Sequence, residues 1–318
     1  MIPRKAAIID MGTNTFHLLL VELNAGNFTT IYKEKVAVKV GQGGISKNTI
    51  TEDAKKRAFH TLQHFRNYID GEGIVEVFAF ATSAVRNADN GSDFVQEIKE
   101  KFNISVNVIN GSQEAQLIYE GIRFSGSLND ENHLMMDIGG GSVEFIIGNN
   151  HEALWKQSFE IGGQRLLDLF HYHDPILEEE KDNLTQFLEE KLPDLIAALN
   201  IYSPSKLVGA SGTFDTLSDM YYASHDLKKG KSEQTFLLPR AGFEVIAEQL
   251  LTLNKAERLK IPGMIPMRVD MIVVASCLIS YILKYINTDM LICSSFALKE
   301  GVISQLIGNN SLADASIN

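Results

Sequence analysis

The chain has 318 residues, 45% hydrophobic and 22% charged, with a formal net charge of −11. That length accommodates two domains with a core each, and the composition is that of an ordinary soluble globular protein. The acidic balance argues against duplex nucleic acid as a partner, and no apolar run reaches the length of a membrane span. The opening MIPRKAAIID enters a strand at once, without a secretory h-region. Residues 5–23 and 28–40 read as strands separated by a turn at Asn24–Asn27, and GQGG at 41–44 as a loop. Thr49 and Glu52 suit a capping box, ahead of a helix with Ala58, Leu62, Phe65 and Ile69 on one face. A strand at 74–81 leads into ATSAVRNADNG, then a helix near 92–102 and a strand at 104–109. NGSQEAQLIYEGI follows as a loop opening a helix, with Ser112 as its N-cap. The second half reads as a hairpin at 134–148, a strand near 152–159, and helices near 163–171 and 178–199. A strand at 205–210, helices near 212–223, 241–252 and 268–285, a strand at 289–293 and a helix at 297–307 complete it. The polar tail SLADASIN is expected to fray.

One hairpin occurs twice. AIIDMGTNTFHLLLV at 7–21 and LMMDIGGGSVEFIIG at 134–148 align at an offset of 127, placing Asp10 on Asp137, Gly12 on Gly139, and Thr15 on Ser142. Each copy is an apolar strand ending in Asp, a small-residue turn and a returning apolar strand. Glycine in such a turn takes φ > 0 at no steric cost and lets a ligand approach the backbone. Consecutive turn amides form an anion nest, and a carboxylate beside it suits a divalent cation. The duplication therefore predicts an α/β chain of two related domains, 1–122 and 123–318, with a cleft for phosphates and a cation between them.

Four other stretches carry residues capable of chemistry. GASGTFD at 209–215 reads as strand–turn–helix, with Ser211, Gly212 and Thr213 at a helix N-terminus that either binds an anion or simply caps. Arg86, after a strand end, has the fork to clamp phosphate, although an arginine in a loop more often makes a surface ion pair. Glu114, in a first helical turn, reads either as complement to the helix dipole or as a general base. Glu144, seven residues after Asp137 where the first copy has His17, faces solvent or holds a metal ion or water. His60 and His64 lack the glutamate of a zinc-binding helix, and His171 and His173 give an equally weak metal signal. Ile161-Gly162-Gly163 fits a strand-to-helix turn at the edge of the cleft. Cys277 and Cys293, at no metal spacing, read as buried free thiols of a cytoplasmic protein.

Taken in order, IIDMGTNTFHLLL (8–20), ATSAVR (81–86), INGSQEAQLIYEG (109–121), MDIGGGSVEFIIG (136–148), SFEIGGQRL (158–166), GASGT (209–213) and SFALKEGVI (295–303) run across nearly the whole chain. They resemble the exopolyphosphatase / guanosine pentaphosphate phosphohydrolase family, within the actin, Hsp70 and sugar-kinase superfamily. The resemblance implies two actin-like, ribonuclease H-like domains and removal of a terminal phosphate from a phosphoanhydride chain. It assigns Glu114 as catalytic base, Arg86 to phosphate, and Asp137 and Glu144 to Mg²⁺. It places Asp10, Thr13 and Asn14 in the first phosphate turn, with Gly139, Gly140, Gly141 and Ser142, and Ser211, Gly212 and Thr213, as opposing walls. Near residue 268 the family shows Glu-Arg and then a glycine pair. Here Arg268 is kept, Met267 replaces the glutamate and Ala275-Ser276 the glycines, which leaves the role of Arg268 open.

The function expected on these grounds is Mg²⁺-dependent release of terminal phosphate from inorganic polyphosphate, favouring short chains because the sequence stops after the two-domain core and is acidic overall. Guanosine pentaphosphate is the alternative substrate, and a non-catalytic polyphosphate or alarmone sensor the alternative class. A homodimer is expected, with no nucleic acid or membrane partner.

Overall fold

The computed structural model describes residues 4–230 and 232–315, which fall into two compact units. The first comprises the chain up to Gly121 together with the residues from Leu298 onward; the second is Ile122–Ala297.

In the first unit, β1 (Arg4–Met11), β2 (Phe16–Asn24) and β3 (Asn27–Val36) form an antiparallel meander. After α1 (Glu52–Gly71), β4 (Glu76–Ala81) lies parallel to β1. Then α2 (Ser83–Arg86) and α3 (Gly91–Phe102) lead to β5 (Val106–Val108), parallel to β4, and to α4 (Gly111–Phe124). The sheet order is β3-β2-β1-β4-β5. Ala7, Ile9 and Met11 share a core with Ala58, Leu62 and Phe65 of α1 and Phe94 and Ile98 of α3. The alternate strand residues Ile8 and Leu19 are buried as well, so both faces of the sheet are covered.

The second unit repeats the plan. β6 (His133–Ile138), β7 (Val143–Gly148) and β8 (Ala153–Phe159) form the meander. α5 (Gly163–Phe170), α6 (Glu178–Lys191) and α7 (Pro193–Tyr202) precede β9 (Lys206–Ala210), which runs parallel to β6. There follow α8 (Ser211–Ser224), β10 (Thr235–Pro239), α9 (Arg240–Thr252), α10 (Lys255–Arg258), α11 (Met271–Ile282), β11 (Met290–Ser294) and α12 (Leu298–Ala315). The order is β10-β11-β9-β6-β7-β8. Without β10 it matches the first sheet strand for strand: three antiparallel strands, then two parallel ones. Each unit is an actin-like, ribonuclease H-like domain, as the family resemblance implies.

Several local expectations are corrected. α12 packs on β1 and β2, so the residues from Leu298 on belong to the first unit rather than to a domain running from 123 to 318. It continues as helix to Ala315, while the last three residues of SLADASIN lie outside the described residues. Thr51, not Thr49, caps α1, accepting from the Ala54 N–H at 3.2 Å. Asn110, not Ser112, caps α4: its Oδ1 accepts from Gln113 N, and Gln113 Oε1 accepts from Asn110 N, each at 2.9 Å. Pro193 at a helix start divides the helix expected over 178–199. The strand β10 went unforeseen because TFLLP is short and ends in proline. Among the described residues no helix is long and apolar enough to cross a membrane.

Candidate functional site

Each meander ends in a small-residue turn, and the two turns share one construction. In the first unit Gly12 N donates to Thr15 O at 3.1 Å, and a Cβ on Gly12 would stand 3.1 Å from that oxygen. In the second, a Cβ on Gly139 would stand 2.9 Å from Ser142 O. Neither glycine adopts positive φ. The residue is needed for close approach of a carbonyl, not for the left-handed conformation the sequence suggested.

The 139–142 turn is clamped from behind by the start of α5. Gly163 N donates to Gly139 O at 2.8 Å, Gln164 N to Gly140 O at 2.8 Å and Gly162 N to Gly141 O at 3.1 Å. Arg165 Nε adds a 2.9 Å bond to Gly141 O. Three successive carbonyls are thus consumed by one helix N-terminus, which fixes the orientation of the intervening peptides. A Cβ on Gly162 would fall 2.5 Å from the backbone of Gly140 and Gly141, so only glycine fits there. In the first unit the 38–44 loop supports Thr13 and Asn14: Lys39 N donates to Asn14 O at 2.9 Å and Gly41 N to Thr13 O at 3.0 Å. Arg57 holds that loop through Val38 O and Lys39 O. Thr13 and Asn14 are buried.

Strand register aligns a row of polar residues across each sheet. Asp137 lies directly opposite Glu144, and Glu144 opposite Ser158. Directly opposed residues share a face, so the outward-facing reading of Glu144 is wrong: it is 1% exposed and Asp137 7%. Ser211 Oγ donates to Asp137 Oδ2 and Ser158 Oγ to Glu144 Oε1, each at 2.7 Å. The two carboxylates are a donor set of the kind a divalent cation takes, one or two carboxylates with waters at its other positions. No group of three or more His, Cys, Asp or Glu side chains suited to a metal occurs among the described residues. Ser211 has φ +65°, an uncommon conformation for a residue with a side chain, where α8 springs from β9. Gly212 and Thr213 are buried in the first turn of α8.

The equivalent row in the first unit is Asp10, His17 and Lys35. Thr15 Oγ1 and His17 Nε2 are 3.0 Å apart. Burial pushes the Asp10 carboxyl above the ordinary range, Lys299 and Lys35 oppose that rise and Glu300 adds to it. Two acids and a serine in one unit thus correspond to an acid, an imidazole and an amine in the other.

Glu114 sits in the first turn of α4 and is 7% exposed. Arg86, the last residue of α2, donates through Nη1 to Glu114 Oε2 at 2.9 Å and to Ile109 O at 3.0 Å. The structure therefore brings together two residues 28 positions apart that the sequence treated separately: Arg86 makes its ion pair with a buried carboxylate, and Glu114 keeps the first-turn position of a dipole complement. The histidine signals have ordinary explanations: His64 pairs with Glu34, and His173 with Glu180. Cys293 is buried and Cys277 half-buried, both free, with thiols pushed up by burial to about 12 and about 11. Sequence reasoning missed Ser158 and Arg165. Ser158 is recoverable only from strand register, and Arg165 only from knowing that α5 abuts the turn.

Among solved structures, an exopolyphosphatase from Cytophaga hutchinsonii is similar at 45% identity and a TM-score of 0.94, covering 96% of this chain and 98% of that one. An Aquifex aeolicus Ppx/GppA family member shares the fold at 24% identity and a TM-score of 0.80, over 96% and 99% of the two chains. A curated relative named guanosine-5'-triphosphate,3'-diphosphate pyrophosphatase, from Aeromonas salmonicida, is 29% identical over 97% of this chain and 60% of its own length. A Fusobacterium nucleatum bifunctional 3-dehydroquinate synthase/phosphatase is 29% identical, with 46% of its length covered. The chain thus spans about 60% or less of these curated relatives. The model of the Ppx/GppA phosphatase family matches residues 19–310, so with its duplicated turns and paired carboxylates the chain belongs to that family.

Proposed function

We propose that this protein hydrolyses the terminal phosphoanhydride bond of inorganic polyphosphate, with Mg²⁺ as cofactor and a preference for short chains. The observation that carries the reading is Glu114, a buried first-turn carboxylate held by the Arg86 guanidinium at 2.9 Å. Such a group suits a general base. Glu114 takes a proton from water as its oxygen bonds to the terminal phosphorus. The P–O bond to the rest of the chain breaks, and orthophosphate and a chain one unit shorter leave. Arg86 orients Glu114 and meets phosphate charge. Asp137 and Glu144 would hold the metal ion, with Ser211 and Ser158 fixing their carboxylates. When bound, Mg²⁺ neutralises charge on the phosphoryl oxygens. Each unit offers phosphate the backbone amides of its own turn: 12–15 with Asp10, Thr13 and Asn14 in the first, and 139–142 with the start of α8 in the second.

The 45% identity to a protein named exopolyphosphatase supports this substrate. Guanosine pentaphosphate is the second reading, favoured by the name of the Aeromonas relative. The deciding experiment measures phosphate release from polyphosphates of defined length and from guanosine pentaphosphate, with and without Mg²⁺. Faster Mg²⁺-dependent release from short polyphosphate supports the first reading, and faster release from the nucleotide the second. Binding of oligophosphate without release from either substrate makes the protein a sensor.

A further inference from the structure

The carbonyls of Gly139, Gly140 and Gly141 belong to trans peptides, in which the N–H points opposite to the C=O. With those carbonyls turned towards the start of α5, the amides of Gly140, Gly141 and Ser142 are turned away from it as one row. Gly141 O accepts from Gly162 N at 3.1 Å and also from Arg165 Nε at 2.9 Å. The last peptide of the row, Gly141–Ser142, is therefore gripped by a charged side chain as well as by backbone.

Arg165 sits where helix electrostatics disfavours it. It is the third residue of α5, and a cation in a first helical turn meets the positive end of the dipole. No acidic residue shares that turn. Its contacts offset the cost: Nε donates to the Gly141 carbonyl, and Nη2 donates to Glu160 Oε2 at 3.2 Å. Glu160 lies in the connection between β8 and α5, so the pair spans the approach to the helix. The arginine side chain is 17% exposed and the glutamate 41%, which leaves the contact with Gly141 on the sheltered side of the pair. The first unit places its arginine differently: Arg57 holds Val38 O and Lys39 O of the supporting loop, not a carbonyl of the turn.

We infer that Arg165, steadied by Glu160, is the positioning residue of the Ser142 amide: by gripping the Gly141 carbonyl from behind, it fixes that N–H in the direction a phosphate oxygen needs. The inference deepens the proposed function and rests on it, since it takes the 139–142 turn as a phosphate site. The grip restrains a peptide that follows a glycine, whose backbone is otherwise the freest to rotate. It also polarises the peptide, because a donor on the carbonyl oxygen strengthens the N–H of the same amide. Lysine keeps the charge but loses the grip, having no planar fork to span Gly141 O and Glu160 together. Positioning is thereby separable from attraction through space. Attraction alone predicts that Arg165→Lys binds phosphate as the wild type does, and that Glu160→Gln, with one negative charge fewer, binds it more tightly. Positioning predicts that both variants bind it more weakly.

The test measures calorimetric binding of diimidotriphosphate, whose P–N–P links resist hydrolysis, to the full chain in the presence of Mg²⁺. Steady-state phosphate release from tripolyphosphate and the melting temperature are recorded alongside. Arg165→Lys should weaken diimidotriphosphate binding by roughly threefold to tenfold. KM for tripolyphosphate should rise by a similar factor while kcat stays within about twofold, the pattern of a lost binding interaction rather than a loosened fold. Glu160→Gln should weaken binding by a smaller factor and add nothing to Arg165→Lys, because it acts through the same side chain. Glu160 is the more exposed partner, so its variant retains the fold even if Arg165→Lys does not. Wild-type affinity in Arg165→Lys, tighter binding by Glu160→Gln, or a fall in kcat at unchanged KM overturns the inference and leaves the proposed function standing. A wild type that binds diimidotriphosphate but releases no phosphate overturns the proposed function alone, and the affinities of the variants still decide the role of Arg165. A wild type that neither binds it nor releases phosphate overturns both.

Discussion

A positioned general base contributes on the order of a hundredfold to ten-thousandfold to rate. Glu114→Gln preserves the size of the side chain and removes the proton acceptor, so kcat should fall by about that factor while KM stays within a few fold in initial-rate assays. Wild-type turnover by the variant would refute the assignment. Asp137→Ala should remove most Mg²⁺ dependence; retention of both Mg²⁺ response and rate would make the carboxylate structural. Asp10 gives a prediction of opposite sign for stability. Its carboxyl is raised above the ordinary value by burial first, so the folded state holds the proton more tightly than the unfolded state. The stability tied to Asp10 is full below the ordinary carboxyl pKa and is lost as pH rises through the folded value. Asp10→Asn should therefore raise the melting temperature near neutral pH, by about 2–4 °C per kcal/mol recovered, while slowing hydrolysis. His171 acts at the acid side: burial first, then Arg258, holds its imidazole below the ordinary 6.5. Its contribution is lost as pH falls below 6.5, which should appear as a melting temperature that declines with acidification and declines less in His171→Gln.

At the scale of elements, the 139–142 turn is fixed because the start of α5 holds it from behind. Gly162→Ala forces a Cβ into the Gly140–Gly141 backbone at 2.5 Å, an overpacking that costs about 1–3 kcal/mol. The variant should melt lower and lose activity in excess of its loss of folded fraction, measured by calorimetry alongside turnover. The hairpins were legible from sequence because apolar strands flank a conspicuous Asp-x-Gly turn, and the repeat made each copy evidence for the other. The opposition of Asp137 to Glu144 was not, because it depends on turn length and register, and a one-residue slip moves a side chain to the other face. The Arg86–Glu114 contact was hidden for a related reason: it joins the end of α2 to the start of α4 across 28 residues. Asn110 displaced Ser112 as a cap because two nearby candidates compete and the reciprocal bond with Gln113 decides between them. The segment before α11 read as helix because its apolar spacing continues, whereas the backbone there is held by Arg258, whose Nε donates to Val269 O at 3.1 Å.

For the molecule as a whole, the charge of −11 opposes a long polyanion. kcat/KM should fall as polyphosphate lengthens at low ionic strength, and the difference should narrow with added salt as screening shortens the reach of that repulsion. A rate that rises with chain length, or a length dependence indifferent to salt, would refute this. The two units also differ in how the chain builds them. The second is one continuous stretch, Ile122–Ala297, whereas the first needs α12, whose Leu298, Val302 and Ile303 are buried and whose Gly301 meets α4 so closely that a Cβ there would lie 1.9 Å from Leu117 O. On the ribosome the first-made half of the protein must therefore wait, its β1–β2 surface uncovered, while the entire second unit is synthesised at roughly 5–20 residues per second. Nascent chains arrested before Leu298 should show the later-made unit protected from protease and the earlier-made one still open to it.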